Sequence, residues 1–365
     1  MKLSAPREAL LEPLQAVMGV VERRQTMPVL ANVLVTASDK GVAITATDLE
    51  VELVATAEVA VEKTGEITLP GRKLLDICRA LPEGQDLTLG QSGDKVTVKS
   101  GRSRFTLSTL PAAEFPTVED IRAAQSLALP QSQLGRLLEK THFAMANQDV
   151  RYYLNGLLLD VAGPRIRCVA TDGHRLALCE CTVDSADATP QQVILPRKGV
   201  LELQRLIGGD GECTVSVGTN HLRVEVDGIR FTSKLIDGRF PDYERVIPKE
   251  IDTPMLADRQ LLIEGLSRAR ILANEKYKGV RLEVKDGNLV VQAHNPEQEE
   301  AEEEIEVEYS GDDLEIGFNA EYLIAALRAL ESDEVRLEFK DSSSSCLIQD
   351  KEKRDCKYVV MPMRL

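Results

Sequence analysis

Residues 195–209, LPRKGVLELQRLIGG, decide the fold, because the same design appears twice more, as LPGRKLLDICRALPEG from Leu69 and IGFNAEYLIAALRALES from Ile316. Each copy leads from a short apolar stretch into a segment whose inward positions fall at i, i+3, i+4 and i+7, one face of a helix. That face reads Leu74, Ile77, Cys78, Leu81 in the first copy, Val200, Leu203, Gln204, Ile207 in the second, and Leu323, Ala326, Leu327, Leu330 in the third. The copies stand 126 and 123 residues apart. Solenoid repeats run about 20–50 residues, so this spacing means three whole domains of one design.

Outward from these helices the rest of the unit repeats as well. A second helix candidate precedes each copy: REALLEPLQAVMGVVERR from Arg7, QSQLGRLLEKTHFAM from Gln131 and DRQLLIEGLSRARILANEK from Asp258. Pro13 would disturb the first unless it falls in the opening turn. Alternating stretches with Asp-, Gly- or Lys-rich turns predict hairpins after every helix. Phe-Pro follows the last strand in EFPTVEDI at Phe115 and again in RFPDYERV at Phe240, 125 residues on. Domain boundaries are expected near residues 125 and 250, giving domains 1–125, 126–250 and 251–365. The fold class is α+β, three repeated domains each with two helices on antiparallel sheets.

Composition narrows the function. With 44 basic against 59 acidic residues the net charge is −15, an unpromising average for a DNA-binding surface. No apolar run is long enough to span a membrane, and MKLSAPREAL lacks the apolar core of a signal peptide, so a soluble chain that stays where it is made is expected. Seven cysteines without a C-x-x-C pair read as reduced thiols.

The charge is not evenly spread. The six predicted helices sum to +5, leaving −20 on everything else. If the helices share one surface, that surface is basic and suits phosphate contacts without sequence readout. A domain of this length approximates a sphere roughly 35 Å across; by that estimate a ring of three leaves a gap of only about 5 Å and a ring of six about 35 Å. A duplex about 20 Å thick needs the six-membered ring, which two copies joined head to tail would supply. Solvated helices also carry Lys and Arg commonly, so an acidic interaction scaffold that never encircles DNA is the alternative.

The chain resembles the bacterial sliding clamps, the beta subunits of DNA polymerase III, through SGRSRFTLSTLPAAEFP, QDVRYYLNG, VATDGHRLA, LPRKGV, FTSKLIDGRFPDY, NPEQEEAEE and YVVMPMRL. The resemblance implies a head-to-tail dimeric ring lined by helices around duplex DNA, conferring processivity without catalysis or cofactor. It also implies a partner-peptide pocket at Leu154, Thr171, Gly173, His174, Arg175, Leu176, Pro241, Arg245, Val246 and Ser345, with the tail Val359, Val360, Met361, Pro362, Met363, Arg364 and Leu365. Apolar side chains beside flexible methionines suit a site that accepts many peptides. Phosphate contacts carry over to Arg24, Gln148, Tyr152 and Tyr153; the helix charge adds Arg72, Arg79, Arg197 and Lys198. At the subunit boundary Phe105 and Leu107 would meet Ile271 and Leu272 of a second copy, with Lys73, Arg102 and Arg104 facing Glu297, Glu299 and Glu300.

The implied partners are sequence-independent double-stranded DNA, a second copy of the chain, the polymerase III alpha subunit, the clamp-loader ATPase complex, and other DNA polymerases, ligase and mismatch-repair proteins through short linear motifs. No membrane partner is expected, and the location is cytoplasmic and nucleoid-associated. A hydrolase reading would pair Asp172 with His174, but no nucleophile motif such as G-x-S-x-G accompanies them, and residues i and i+2 of a strand share a face, which favours a structural hydrogen bond. His142, His221 and His294 lack metal-ligand spacing, and no Walker loop occurs.

Overall fold

The computed structural model describes residues 1–21, 27–118, 123–183, 189–249, 253–285 and 287–364. The first repeat comprises β1 (Lys2–Pro6), α1 (Arg7–Val17), β2 (Asn32–Ser38), β3 (Gly41–Thr47), β4 (Val51–Ala57), β5 (Ala60–Lys63), β6 (Gly65–Pro70), α2 (Gly71–Ala80), β7 (Asp86–Ser92), β8 (Lys95–Ser100) and β9 (Ser103–Ser108). The second comprises β10 (Gln125–Pro130), α3 (Gln131–Glu139), β11 (Gly156–Ala162), β12 (Arg165–Thr171), β13 (Arg175–Thr182), β14 (Gln191–Pro196), α4 (Arg197–Leu206), β15 (Glu212–Val217), β16 (His221–Val226) and β17 (Ile229–Lys234). The third comprises β18 (Met255–Asp258), α5 (Arg259–Ala269), β19 (Gly279–Lys285), β20 (Asn288–His294), β21 (Glu300–Glu306), β22 (Leu314–Asn319), α6 (Ala320–Ala329), β23 (Glu334–Glu338), β24 (Cys346–Asp350) and β25 (Cys356–Val360).

The repeated helices take the predicted faces. Every expected inward position of α2, α4, α6 and the residues just after them is buried, except Ile77 and Gln204, which are half-buried. Burial of each such aliphatic side chain contributes about 1.5–3 kcal/mol. The preceding helices are shorter than their periodicity predicts, for α1 stops at Val17, α3 at Glu139 and α5 at Ala269, each before a 3-10 turn. Pro13 lies inside α1 and not in its opening turn. Its ring joins the buried face with Leu10, Leu14 and Val17, and that packing outweighs the hydrogen bond a proline cannot make. Asp258 starts α5 by accepting from the Leu261 N–H at 2.8 Å.

The chain divides into two compact units. Met1–Leu134 with Lys198–Leu235 contains a five-stranded sheet ordered β5-β1-β7-β8-β9 and an eight-stranded sheet ordered β10-β15-β16-β17-β4-β3-β2-β6. Gly135–Arg197 with Ile236–Leu365 contains an eight-stranded sheet ordered β14-β11-β12-β13-β25-β24-β23-β18 and a four-stranded sheet ordered β21-β20-β19-β22. Each eight-stranded sheet thus joins four strands of one repeat to four of another, at antiparallel seams β17·β4 and β13·β25. Strands β9 and β21 are left as edges.

The second seam corrects the reading of seven free thiols. Cys179 and Cys356 oppose each other in the β13·β25 register and form a disulfide, with Cα atoms 4.1 Å apart. Their separation of 177 residues hid the pair, because only strand pairing between two repeats brings them together. The other five cysteines are free.

Candidate peptide-binding pocket and nucleic-acid interface

One face of the second unit's large sheet is ordered in rows. Asp160, Arg167 and Glu180 stand side by side across β11, β12 and β13; Leu158, Val169, Leu178 and Lys357 form the next row; Thr171, Leu176, Val359 and Leu347 the third. Alternation along each strand aims these residues to one side. A strap from Phe240 to Lys249 crosses them, seating Phe240 and Tyr243 on Leu158, Val169, Leu176, Leu178, Leu347 and Val359. The Tyr243 hydroxyl donates to Asp160 Oδ2 at 2.5 Å and accepts from Arg167 Nη1 at 3.0 Å. Burial, together with the Asp160 carboxylate, pushes the Tyr243 phenol up to about 12.

Beside the strap a cavity of about 190 Å³ remains open. Of the expected pocket residues, Leu154, Thr171, Gly173, Arg175, Leu176, Pro241, Val246, Val359 and Met361 line it. Arg151, Tyr153 and Tyr243 line it as well. Tyr153 was expected at phosphates, whereas here it faces the cavity. Tyr243 could have been found from the strap motif FPDY, which places an aromatic three residues past Phe240. Arg151 had a fainter signal in its spacing from Asp149, whose carboxylate it grips at 2.8 Å. Hydrogen bonds from the Arg151 side chain and backbone hold the Asp149 carboxyl at about 2.

The turn between β12 and β13 fixes the cavity's polar rim. Asp172 Oδ1 accepts from the N–H groups of His174 (2.9 Å) and Arg175 (3.0 Å), and Thr171 Oγ1 donates to the Arg175 carbonyl at 2.6 Å. Asp172 and His174 therefore sit in a turn and not on one strand face as predicted, and the aspartate orders backbone, with no nucleophile beside it. Gly173 has φ +88°, and a Cβ there would lie 2.8 Å from Arg151 Nη1. Arg175 is held by Asp172 Oδ2 at 3.0 Å and the Phe143 carbonyl at 2.7 Å, with its guanidinium over the rings of Phe143 and Tyr322. Such stacking and hydrogen bonding fix the orientation of a planar cation at the rim.

The remaining expected pocket residues lie around the cavity without lining it. His174 is exposed and its carbonyl accepts from Met361 N at 2.9 Å, which continues the seam into the tail. Val360 is buried opposite Arg175; Met363 N donates to the Gly317 carbonyl, and Pro362 is half-buried. Arg245 is exposed and paired with Asp242; Ser345 is half-buried, Arg364 exposed, and Leu365 falls outside the described residues.

The expected phosphate contacts fall in both units. Arg72 and Arg79 are exposed on α2, and Arg72 Nη2 also reaches the Val21 carbonyl. Lys198 pairs with Asp48, and Arg197 donates to the Met145 carbonyl at 3.4 Å. Gln148 is exposed at φ +58°, and the ring of Tyr152 is exposed. Arg24 falls outside the described residues. At the edges, Arg102 and Arg104 are exposed next to half-buried Phe105 and buried Leu107, and Lys73 is exposed on α2. Ile271 is 76% exposed, Leu272 half-buried, and Glu297, Glu299 and Glu300 are exposed.

Three repeats of antiparallel strands with two helices each, and an apolar pocket beside the C-terminal strand, are the organisation of the clamp class of proteins. Family models of the DNA polymerase III beta subunit match the chain in three stretches: the N-terminal domain at residues 1–119, the central domain at 128–242 and the C-terminal domain at 244–364. The beta sliding clamp of Pseudomonas aeruginosa is 53% identical over 369 residues, and that of Escherichia coli K12 49% over 367, each alignment covering 100% of both chains. The crystal structure of the Pseudomonas aeruginosa beta subunit superposes with a TM-score of 0.98 at 52% identity, and that of the same clamp bound to griselimycin with 0.96 at 52%, again over 100% of both chains. The chain belongs to the DNA polymerase III beta subunit family, the beta sliding clamps. Its function is that of a sliding clamp of DNA replication, with DNA and polymerase as partners. Among the described residues no cluster of His, Cys, Asp or Glu could hold a metal, and no helix is long and apolar enough to cross a membrane.

Proposed function

We propose that the protein acts as a head-to-tail homodimeric ring around double-stranded DNA, built from clamp domains 1–125, 126–250 and 251–365. The observation that carries this is the sheet order. Strand β17 closes the second repeat as β9 closes the first, and β4 and β21 hold equivalent places in the first and third repeats; β17 pairs with β4, whereas β9 and β21 remain edges. A second copy would repeat the β17·β4 seam at β9·β21, in two symmetric places. Edge charge supports the match: β9 carries Arg104 with Arg102 just before it, while β21 reads EAEEEIE. A charge-lined edge resists wrong pairing and accepts a complementary one. Phe105, Leu107, Ile271 and Leu272 would supply the apolar contact and Lys73 a further cation toward Glu297, Glu299 and Glu300. The ion pairs contribute under about 1 kcal/mol each, so apolar burial dominates.

In this reading Arg24, Arg72, Arg79, Gln148, Tyr152, Arg197 and Lys198 meet phosphates, and the pocket, with Tyr153 in its wall and the tail to Leu365, takes linear motifs of the polymerase III alpha subunit, the clamp loader, other polymerases, ligase and mismatch-repair proteins. The chain works in the cytoplasm at the nucleoid and performs no catalysis. The test is loading onto nicked circular DNA by the matching ATPase loader, followed by one cut. Escape on linearisation supports the topological ring; retention on the linear molecule overturns it. Reversing charge at Arg24, Arg197 and Lys198 should weaken loading with peptide binding intact, whereas deleting residues 361–365 should abolish partner binding, the loader's included, while the dimer survives.

A further inference from the structure

The strap from Phe240 to Lys249 has a second side. Away from the pocket, Tyr243 also walls a groove of about 220 Å³ lined by Leu178, Ile247, Pro248, Arg167, Glu180, Glu244, Lys249 and Lys357. One tyrosine therefore separates the two depressions. The groove floor is Leu178, which stands beside Leu176 of the pocket floor, two residues along β13. Its charges are not balanced. Arg167 is satisfied by Glu180 at 2.7 Å and Glu244 at 2.8 Å. Neither Lys249 nor Lys357 has an ion-pair partner among the described residues, so the groove offers two uncompensated ammonium groups in a chain of net −15.

We propose that this groove receives an acidic segment flanking the apolar motif of a pocket-bound partner, with aspartate or glutamate side chains meeting Lys249 and Lys357. The inference rests on the peptide-pocket reading and extends it across Tyr243. Leu178, Ile247 and Pro248 supply an apolar bed for the peptide's backbone and stems, and the two lysines supply the sign preference. Lysine holds its charge on a flexible stem, so recognition selects charge more than fixed geometry. An acidic requirement also discriminates among partners, because a basic flank would be repelled by the same lysines.

The test uses the full-length protein and fluorescein-labelled leucine-rich hexapeptides extended at either end by three glutamates, three glutamines or three lysines, read by anisotropy. Ion pairs at exposed Lys249 and half-buried Lys357 predict that a glutamate extension at one end tightens binding roughly three- to tenfold over glutamine, with the gain shrinking as salt rises. Lys249→Glu with Lys357→Glu should remove that gain, leave the glutamine peptide's affinity unchanged, and favour the lysine peptide. Equal affinity of all extensions at both ends, or an unchanged glutamate gain in the double variant, overturns the groove. Failure of the glutamine peptide to bind at all, or its indifference to deletion of residues 361–365, overturns the pocket reading instead. Should the double variant lose the glutamine peptide too, Lys249→Gln and Lys357→Gln singly repeat the comparison, and persistence of the full gain in both would overturn the proposal.

Discussion

The turn at Thr47-Asp48-Leu49 and the turn at Thr171-Asp172-Gly173 are the same backbone device serving opposite ends. In both, threonine donates to a carbonyl four residues on (2.9 Å and 2.6 Å), and aspartate accepts from the two N–H groups that open the next strand. Both place the third residue in the left-handed region, Leu49 at φ +77° and Gly173 at φ +88°. The difference lies three residues further. In the first repeat the position is Glu52, 2% exposed, whose Oε2 accepts from Val118 N at 2.8 Å and fastens the strap that follows Phe115. In the second it is Leu176, and the strap is fastened instead by the side chain of Tyr243, the residue 125 positions after Val118, to Asp160. Moving the fastening away from the turn leaves Leu176, an apolar residue of the pocket wall, where the first repeat has the Glu52 carboxylate.

Exchanging those residues gives the largest expected effect. Leu176→Glu puts an unpartnered carboxylate under the strap, which costs about 3 kcal/mol or more and fills the pocket. Denaturant unfolding and peptide anisotropy should show both, with affinity down roughly a hundredfold, about the loss of 3 kcal/mol. Retained peptide affinity would break the comparison. Tyr243→Phe comes next, since it leaves Asp160 buried with one donor fewer, at about 1–3 kcal/mol. Its unfolding midpoint should fall and peptide affinity weaken, while the same measurement on Tyr152→Phe, an exposed ring, stays unchanged.

The third comparison concerns the left-handed residue itself. Gly173→Ala adds a Cβ 2.8 Å from the Arg151 guanidinium and a conformational penalty, together on the order of 1 kcal/mol. Leu49→Gly in the first repeat should relieve a similar penalty. Opposite shifts in melting temperature are the expected result; shifts of one sign would mean that side-chain contacts outweigh backbone conformation at these turns.

Repetition made the fold legible, because a helix face recurring at Leu74, Val200 and Leu323 constrains three domains at once. Helix length was not legible: α1 continues apolar past Val17, and only tertiary packing decides that residues 18–20 tighten into a 3-10 turn. The pocket's centre could be named from TDGHR and the terminal strand, yet Arg151, Tyr243 and the Arg175 stack on Tyr322 depend on elements far apart in sequence. The Cys179–Cys356 pair escaped for the same reason. Individual phosphate contacts have no comparable signature in the sequence, since a sliding surface needs only charge in the right region, and Lys198 already has a protein partner in Asp48.

The smallest expected effect is a pair of opposite pH dependences at the two seams. Behind the second seam Arg136 joins Asp355, Glu331 and Cys179, and Lys140 and Lys353 add to Glu331. Burial works against the Glu331 charge, but hydrogen bonds from Arg136 and Lys140 outweigh it and hold the carboxyl at about 2. A depressed carboxylate stabilises the fold above its ordinary value of 4.5, and that contribution is lost as pH falls from 4.5 toward 2. Glu331 is 42% exposed, so the loss should stay under about 1 kcal/mol. At the first seam burial raises Glu52 despite the Val118 N–H and the nearby arginines. There the folded state binds the proton more tightly, so stability rises as pH falls from that raised value to 4.5 and is flat below. Denaturant midpoints across this range should therefore rise slightly before they fall. Glu52→Gln should abolish the rise and Glu331→Gln should flatten the fall. If either variant altered the other's limb, the two seams would be coupled and would not titrate as separate devices.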